Sequence, residues 1–239
     1  MNAPAAQNAG LPELSVIIPV YNEKNTIGKI VDLVRAVPVD KEIIIVDDGS
    51  TDGTRDFVRD EYAGKAGFTA LFHEQNRGKG KAIRTGILHA RGRAIIIQDA
   101  DLEYDPKDYP KLLDPFRQGR AAVVYGSRFL EGKKVTSGWH RFVNYCLTSF
   151  TNILYGSKLT DMETCYKLFS AETLKGLRLE SSGFEIEVEL TAKILKSGEK
   201  ILETPISYKG RSFHEGKKIG WLDGFKALAA LARYRFTGP

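Results

Sequence analysis

The sequence predicts an α/β fold, a mostly parallel central sheet flanked by helices, and two patterns carry that expectation. Four short, largely apolar runs at 14–20, 42–46, 68–73 and 94–98 alternate with helix-length amphipathic stretches, as strands buried on both faces require. Carboxylates gather directly after three of those runs: Glu23 after the first, Asp47 and Asp48 after the second, Asp99 and Asp101 after the fourth. Open parallel sheets bind ligands beyond the carboxyl ends of their strands, so these acids mark the expected site.

Each element has its own signal. The run at 14–20 is rich in β-branched residues and too short for a helix. Residues 26–37 place Ile27, Ile30, Val31 and Val34 at helical spacing and stop at Pro38. The 42–46 strand runs into a loop of N-capping residue types, then a helix through residue 62. A third strand at 68–73 and a glycine-led helix at 78–90 precede the fourth strand. Beyond residue 102 the alternation weakens. Helices are predicted at 104–118, 139–155, 184–196 and 222–234, with strands at 121–125 and 200–208. The domain organisation read from this is a disordered leader at 1–12, a catalytic domain at 13–218 that includes an interface-helix segment at 133–157, and a basic amphipathic helix at 219–239.

Composition excludes several classes. Of 239 residues, 42% are hydrophobic and 27% charged, which is ordinary globular usage. Two cysteines, Cys146 and Cys165, make neither a disulfide scaffold nor a cysteine-rich zinc module, and fit a reducing compartment. Residues 1–11 carry neither a basic nor an apolar leader segment, so no signal peptide is expected. No stretch reaches the roughly 20 apolar residues of a transmembrane helix. The net charge of +5 lies entirely in residues 205–239, which hold seven basic and two acidic side chains. That excess suggests an anionic partner or a solvated helix face. No nucleic-acid partner is expected.

Asp99-Ala100-Asp101-Leu102-Glu103 is the sharpest chemical signal. Two carboxylates at i and i+2 after a buried strand are costly without a cation, and an extended chain would aim both at one ion. Oxygen ligands with no histidine or cysteine cluster favour Mg²⁺ or Mn²⁺, which would bridge a diphosphate and neutralise a phosphate leaving group. Asp47-Asp48-Gly49-Ser50 fits a nucleoside contact or an ordinary turn. Asn76-Arg77-Gly78-Lys79-Gly80 opens a helix whose backbone N–H groups and cations suit phosphate. Neither a Walker A loop nor a Gly-x-Gly-x-x-Gly fingerprint occurs.

Taken in order, Ile18-Pro19-Val20-Tyr21-Asn22-Glu23, Val46-Asp47-Asp48-Gly49-Ser50, Asn76-Arg77-Gly78-Lys79-Gly80 and Asp99-Ala100-Asp101-Leu102 resemble the successive signatures of family 2 glycosyltransferases with the GT-A Rossmann-like fold. Within that family the chain is most similar to dolichyl- and polyprenyl-phosphate mannose or glucose synthases, a match that extends to Tyr125-Gly126-Ser127-Arg128 and to Tyr208-Lys209-Gly210-Arg211. The Gln-x-x-Arg-Trp hallmark of processive polymerases is absent, so transfer of one sugar is implied.

The resemblance implies roles. Pro19, Tyr21, Glu23, Asp47, Asp48, Lys79, Asp99 and Ala100 would bind the nucleotide sugar. Asp99, Asp101 and Glu103 would meet the metal, although the family often carries Gln at the position of Glu103. Arg128, Arg141, Arg211, Lys217 and Lys218 would face the acceptor phosphate, with Asp101, Arg128 and Arg211 central to catalysis. The implied donor is GDP-mannose, or UDP-glucose second, and the acceptor a polyprenyl phosphate.

A phosphate acceptor is already anionic near neutral pH and needs positioning cations more than a general base. A hydroxyl acceptor would need a carboxylate base, for which Asp161, Glu163 and Glu187 stand open. The acids Glu185, Glu187 and Glu189 read as a solvated helix face. The aromatic 139–155 segment and the basic C-terminal helix read either as peripheral contacts with the cytoplasmic leaflet or as packing surfaces against the domain or a second copy in a homodimer. Rival readings are transfer to a glycan hydroxyl, a nucleotidyltransferase and a non-catalytic binding module.

Overall fold

A computed structural model of the chain describes residues 10–130, 138–210 and 221–236, with the backbone alone for 138–140 and 221–226. Strands β1 (Leu14–Val20), β2 (Lys41–Asp47), β3 (Phe68–Phe72) and β4 (Ala94–Ile97) run parallel, connected by helices α1 (Ile27–Ala36), α2 (Thr54–Tyr62) and α3 (Lys79–His89). The rest of the chain adds β5 (Val123–Ser127), β6 (Lys167–Ser170) and β7 (Ile201–Pro205), giving the order β3-β2-β1-β4-β6-β5-β7. The sheet is therefore mostly parallel, with β6 antiparallel to both β4 and β5.

Alternation along the strands builds two cores. Val16, Ile18 and Val20 pack with Ile27, Ile30, Val31 and Val34 of α1, while Ile17, Ile44 and Val46 pack with Ala82, Ile83 and Ile87 of α3. All seven residues of β1 are buried, as a strand covered on both faces must be. A third cluster joins α5 (Gly138–Tyr155), α7 (Ile186–Lys196) and α8 (Trp221–Phe236) through Leu147, Leu159, Met162, Val188, Ala227 and Leu231. Tyr155 donates to the Leu231 carbonyl and Arg235 to that of Leu154, each at 2.9 Å, so α8 packs on the domain. On α5, Phe142, Tyr145 and Ile153 remain exposed. Among the described residues no helix is long and apolar enough to cross a membrane.

Several expectations need correction. The helix expected over 104–118 divides into a 3₁₀ turn, Pro106–Asp108, and α4 (Tyr109–Arg117). The Asp105 side chain accepts from Lys107 N and caps the turn, and the pyrrolidine of Pro106 fits only a helix start. Strand β6 and the short α6 (Ala171–Gly176) were not expected, because four residues beginning with lysine give too short a pattern. The expected strand at 200–208 is confined to Ile201–Pro205.

Among the described residues, the topology brings the loops that follow the parallel strands to one edge. Strands β1, β2, β4, β5 and β7 end there. Strand β6 runs the other way, with Leu168 opposite Ile96, so its first residue, Lys167, lies beside the end of β4. The segment 161–166, the first turn of α3 and the first turn of α7 reach the same edge.

Candidate active site

The loops after β1 and β2 are laced together. Asn22 N donates to Ser50 Oγ at 3.0 Å, Thr51 N to Asn22 Oδ1 at 2.8 Å and Glu23 N to Thr54 Oγ1 at 3.0 Å. Asn22 adopts φ +54°, a conformation asparagine tolerates. This holds the half-buried Tyr21 and Glu23 at the rim, and Thr26 donates to Glu23 Oε2 at 2.9 Å. Pro19 is buried inside β1.

Asp48 anchors the next loop. Its Oδ1 accepts from Arg77 N at 3.0 Å and lies 2.6 Å from His73 Nδ1, and its Oδ2 accepts from Gly78 N at 2.7 Å. The far nitrogen of His73 reaches Thr85 Oγ1 at 3.0 Å. Part of the N–H array expected to cradle a phosphate at the opening of α3 is therefore already engaged. The N–H groups of Arg77 and Gly78 bind the chain's own carboxylate, and that of Lys81 binds the Ser182 carbonyl. Gly78, at φ +90°, leaves no room for a Cβ against the Ser182 carbonyl, which is why this loop carries glycine. Asp47 is fully buried. Its Oδ1 takes Arg55 Nε at 2.9 Å and Ser50 N at 3.2 Å, and its Oδ2 has no hydrogen-bond partner among the described residues.

A chain of alternating charges lies beneath the end of β4. Lys79 Nζ is 2.7 Å from Asp99 Oδ1 and 3.1 Å from Glu187 Oε1, and Lys167 Nζ is 2.6 Å from Glu187 Oε2. Burial alone would discharge Lys79, but Asp99 and Glu187 outweigh it and hold the ammonium well above its usual range. Burial likewise opposes the charge of Glu187, yet the two lysines hold its carboxyl at about 2. Burial, reinforced by Asp99, pushes the Cys165 thiol up and keeps it protonated, 3.5 Å from Lys79.

The depressed Glu187 carboxyl has a measurable consequence. Between its ordinary value of 4.5 and about 2, the unfolded chain binds a proton that the native state does not. Stability is therefore present above the upper value and falls with acidity through that window, by up to about 1.4 kcal/mol per pH unit from this group. Denaturant titrations at several pH values should show a shallower acid slope in Glu187→Gln than in the wild type.

The sequence reading placed Glu187 and Glu189 on a solvated face, and both are buried. Residues two apart on an α-helix point to opposite sides, so these two cannot share a face. Each meets a lysine instead, Glu189 pairing with Lys193 at 2.9 Å.

Arg128 and Glu103 form the other half of the site. Arg128 donates through Nε and Nη2 to the two oxygens of buried Asp161, both at 2.7 Å. Its guanidinium lies 5.0 Å from the ring centre of Tyr208 and 5.5 Å from that of Phe129. Tyr208 donates to Glu103 Oε2 at 2.8 Å. The 99–103 segment is a turn with Leu102 at φ +65°, and Asp101 Oδ1 accepts from Glu103 N at 3.1 Å. This corrects the expected extended pair: Asp99 is turned to Lys79, and Glu103 is engaged by Tyr208. Ala100 is buried between the two acids.

Among the described residues no three histidine, cysteine or acidic side chains converge as a cage for a metal. A hard cation such as Mg²⁺ is commonly held by one or two carboxylates together with substrate phosphates. The single carboxylate of Asp101, a hard oxygen donor, fits that manner of binding. Arg141 is exposed on α5, while Arg211, Lys217 and Lys218 lie outside the described residues.

Lys167 was not singled out in the sequence, and Asp161 and Glu187 stood there only as possible bases for a hydroxyl acceptor; all three are central here. The one visible signal was the 185/187/189 spacing, which no single solvated face accommodates.

The sheet order, with its acids and buried cations at one edge, defines a GT-A glycosyltransferase fold. The profile of glycosyl transferase family 2 matches residues 15–178, and the chain belongs to that family. It is 30% identical over 227 residues to undecaprenyl-phosphate mannosyltransferase from Micrococcus luteus, covering 91% of this chain and 92% of the relative. It is 29% identical over 230 residues to dodecaprenyl-phosphate galacturonate synthase from Rhizobium johnstonii, covering 94% and 67%. Among solved structures it resembles glucosyl-3-phosphoglycerate synthase from Mycobacterium tuberculosis in complex with Mn²⁺, uridine diphosphate and glucosyl-3-phosphoglycerate. That match has a TM-score of 0.69 at 21% identity and covers 95% of this chain and 81% of the other.

Proposed function

We propose that this glycosyltransferase moves a single hexose, with inversion, from a nucleotide sugar to a polyprenyl phosphate at the cytoplasmic face of a membrane. The observation that carries it is the shared edge on which Asp99, Asp101 and the Arg128–Asp161 pair stand, in a chain that matches a polyprenyl-phosphate sugar transferase along nearly its whole length. GDP-mannose is the first choice of donor, supported by the Micrococcus relative, and UDP-glucose the second.

In this reading Tyr21 and Glu23 border the nucleotide, and Asp47 and Asp48, buried behind them, shape the loop on the base side of the pocket. Asp99, held by Lys79, accepts from the ribose. Mg²⁺ or Mn²⁺, when bound, neutralises the departing diphosphate, with Asp101 as its protein ligand. Glu103, whose Oε2 accepts from Tyr208, has its other oxygen to serve as a further ligand. Arg128, oriented by Asp161 and the flanking rings, presents guanidinium N–H groups to the acceptor phosphate. Asp161 already balances its charge, so Arg211, Lys217 and Lys218 supply the additional cations, and Arg141 lies toward the membrane on α5. The exposed Phe142, Tyr145 and Ile153 support contact of α5 with the lipid interface.

Thermal-shift measurements with Mn²⁺ and GDP, UDP, GDP-mannose or UDP-glucose test the donor side. A ligand at a hundred times its Kd should stabilise the fold by about 2.7 kcal/mol. Stabilisation by the guanine set alone fits the first choice and by the uracil set alone the second, whereas stabilisation by neither overturns the proposal.

A further inference from the structure

Glu187 touches none of the residues through which nucleotide binding is proposed except Lys79. Its carboxylate lies between two ammonium groups, Lys79 Nζ at 3.1 Å and Lys167 Nζ at 2.6 Å. All three are buried or nearly so, with side-chain exposures of 11% for Lys79, 6% for Glu187 and 0% for Lys167. Lys167 also donates to the Glu187 main-chain carbonyl at 3.2 Å, which fixes the first turn of α7 against the start of β6. The two lysines come from different elements and would repel one another without the carboxylate between them. Glu187 thus sets where the Lys79 ammonium stands, and Lys79 in turn holds Asp99 Oδ1 at 2.7 Å, on the edge where the nucleotide is proposed to bind.

We infer that Glu187 is a positioning residue for the nucleotide: through Lys79 it fixes the orientation of Asp99, and Lys167 completes the relay from behind. The inference rests on the proposed function for its ligand, a nucleoside diphosphate. Removing the bridging charge takes away the second anchor of Lys79 and leaves it facing Lys167 unscreened, so the ammonium shifts and carries Asp99 with it, and the cost falls on nucleotide binding before it falls on the transfer step. Outer-sphere partners of this kind are worth roughly 10–100-fold in affinity.

The test is a double-mutant cycle read by calorimetry of UDP and GDP, with Mn²⁺, on the full chain. Glu187→Gln is expected to weaken binding of the preferred nucleotide at least roughly tenfold, with donor KM rising and kcat little changed. Lys79→Met should weaken it as much. The double variant should be no worse than Lys79→Met alone, because both act through one contact. Should Glu187→Gln fail to fold, Lys167→Met removes the outer support and is expected to weaken binding in the same direction by a smaller factor. Unchanged nucleotide affinity in Glu187→Gln, or in Lys167→Met where that variant replaces it, would overturn the inference even if melting temperature fell. So would fully additive losses in the cycle. Failure of the wild type to bind either nucleotide would instead defeat the proposed function, and the inference with it.

Discussion

Replacing Asp161 by alanine is expected to destabilise the protein by about 3–5 kcal/mol, the usual cost of stranding a buried charge. Arg128 is only 11% exposed and spends Nε and Nη2 on this one carboxylate, whose own exposure is 0%. Asp161 also accepts from Arg128 N at 3.0 Å, so the turn after β5 loses its anchor together with the side chain. Urea titration should show the midpoint falling with little change in slope. Asp161→Asn should lose less, since it retains shape and one acceptor while giving up the charge. In both variants acceptor KM should rise more than donor KM, because Arg128 is the group left without orientation. An Asp161→Ala protein as stable as the wild type would mean that the buried pair is not the clasp described.

The second large effect is on turnover. Asp101→Ala is expected to lower kcat by roughly a thousandfold or more, equivalent to the several kcal/mol of charge stabilisation that a bound cation supplies. Stability should fall by less than in Asp161→Ala, since Asp101 is half-buried in a turn rather than enclosed in the core. Asp99→Ala should act differently. It removes one of the two carboxylates that hold the buried Lys79, so donor affinity and thermal stability should fall together. Steady-state kinetics alongside thermal melts separate the two, and equal effects at both positions would contradict the division of labour between them.

The strands were legible because each is a short apolar run bounded by loop residues, and a strand covered on both faces has no need of polar alternation. Their carboxyl-terminal acids stand together at one edge of the sheet, the edge at which open parallel sheets bind ligands. What the sequence concealed was direction and partnership. Strand β6 is four residues long, and its reversal, which brings Lys167 to the end of β4, depends on pairing with strands distant in the chain. Glu187 looks like any acid in an amphipathic helix until α7 is seen enclosed between the sheet and α8. Asp48 looks like a ligand contact, yet its oxygens hold the 76–78 loop. The basic segment holding Arg211, Lys217 and Lys218 lies outside the described residues, so its expected role passes to experiment.

The choice of acceptor bears most directly on the proposed chemistry. Purified protein with Mn²⁺ and its preferred nucleotide sugar would be offered a short polyprenyl phosphate and, separately, the matching polyprenol, with products identified by mass spectrometry. Glycosyl phosphopolyprenol formed from the phosphate, with nothing formed from the alcohol, is the expected result. Transfer to the alcohol or to a glycan hydroxyl, with the phosphate left unmodified, would contradict it.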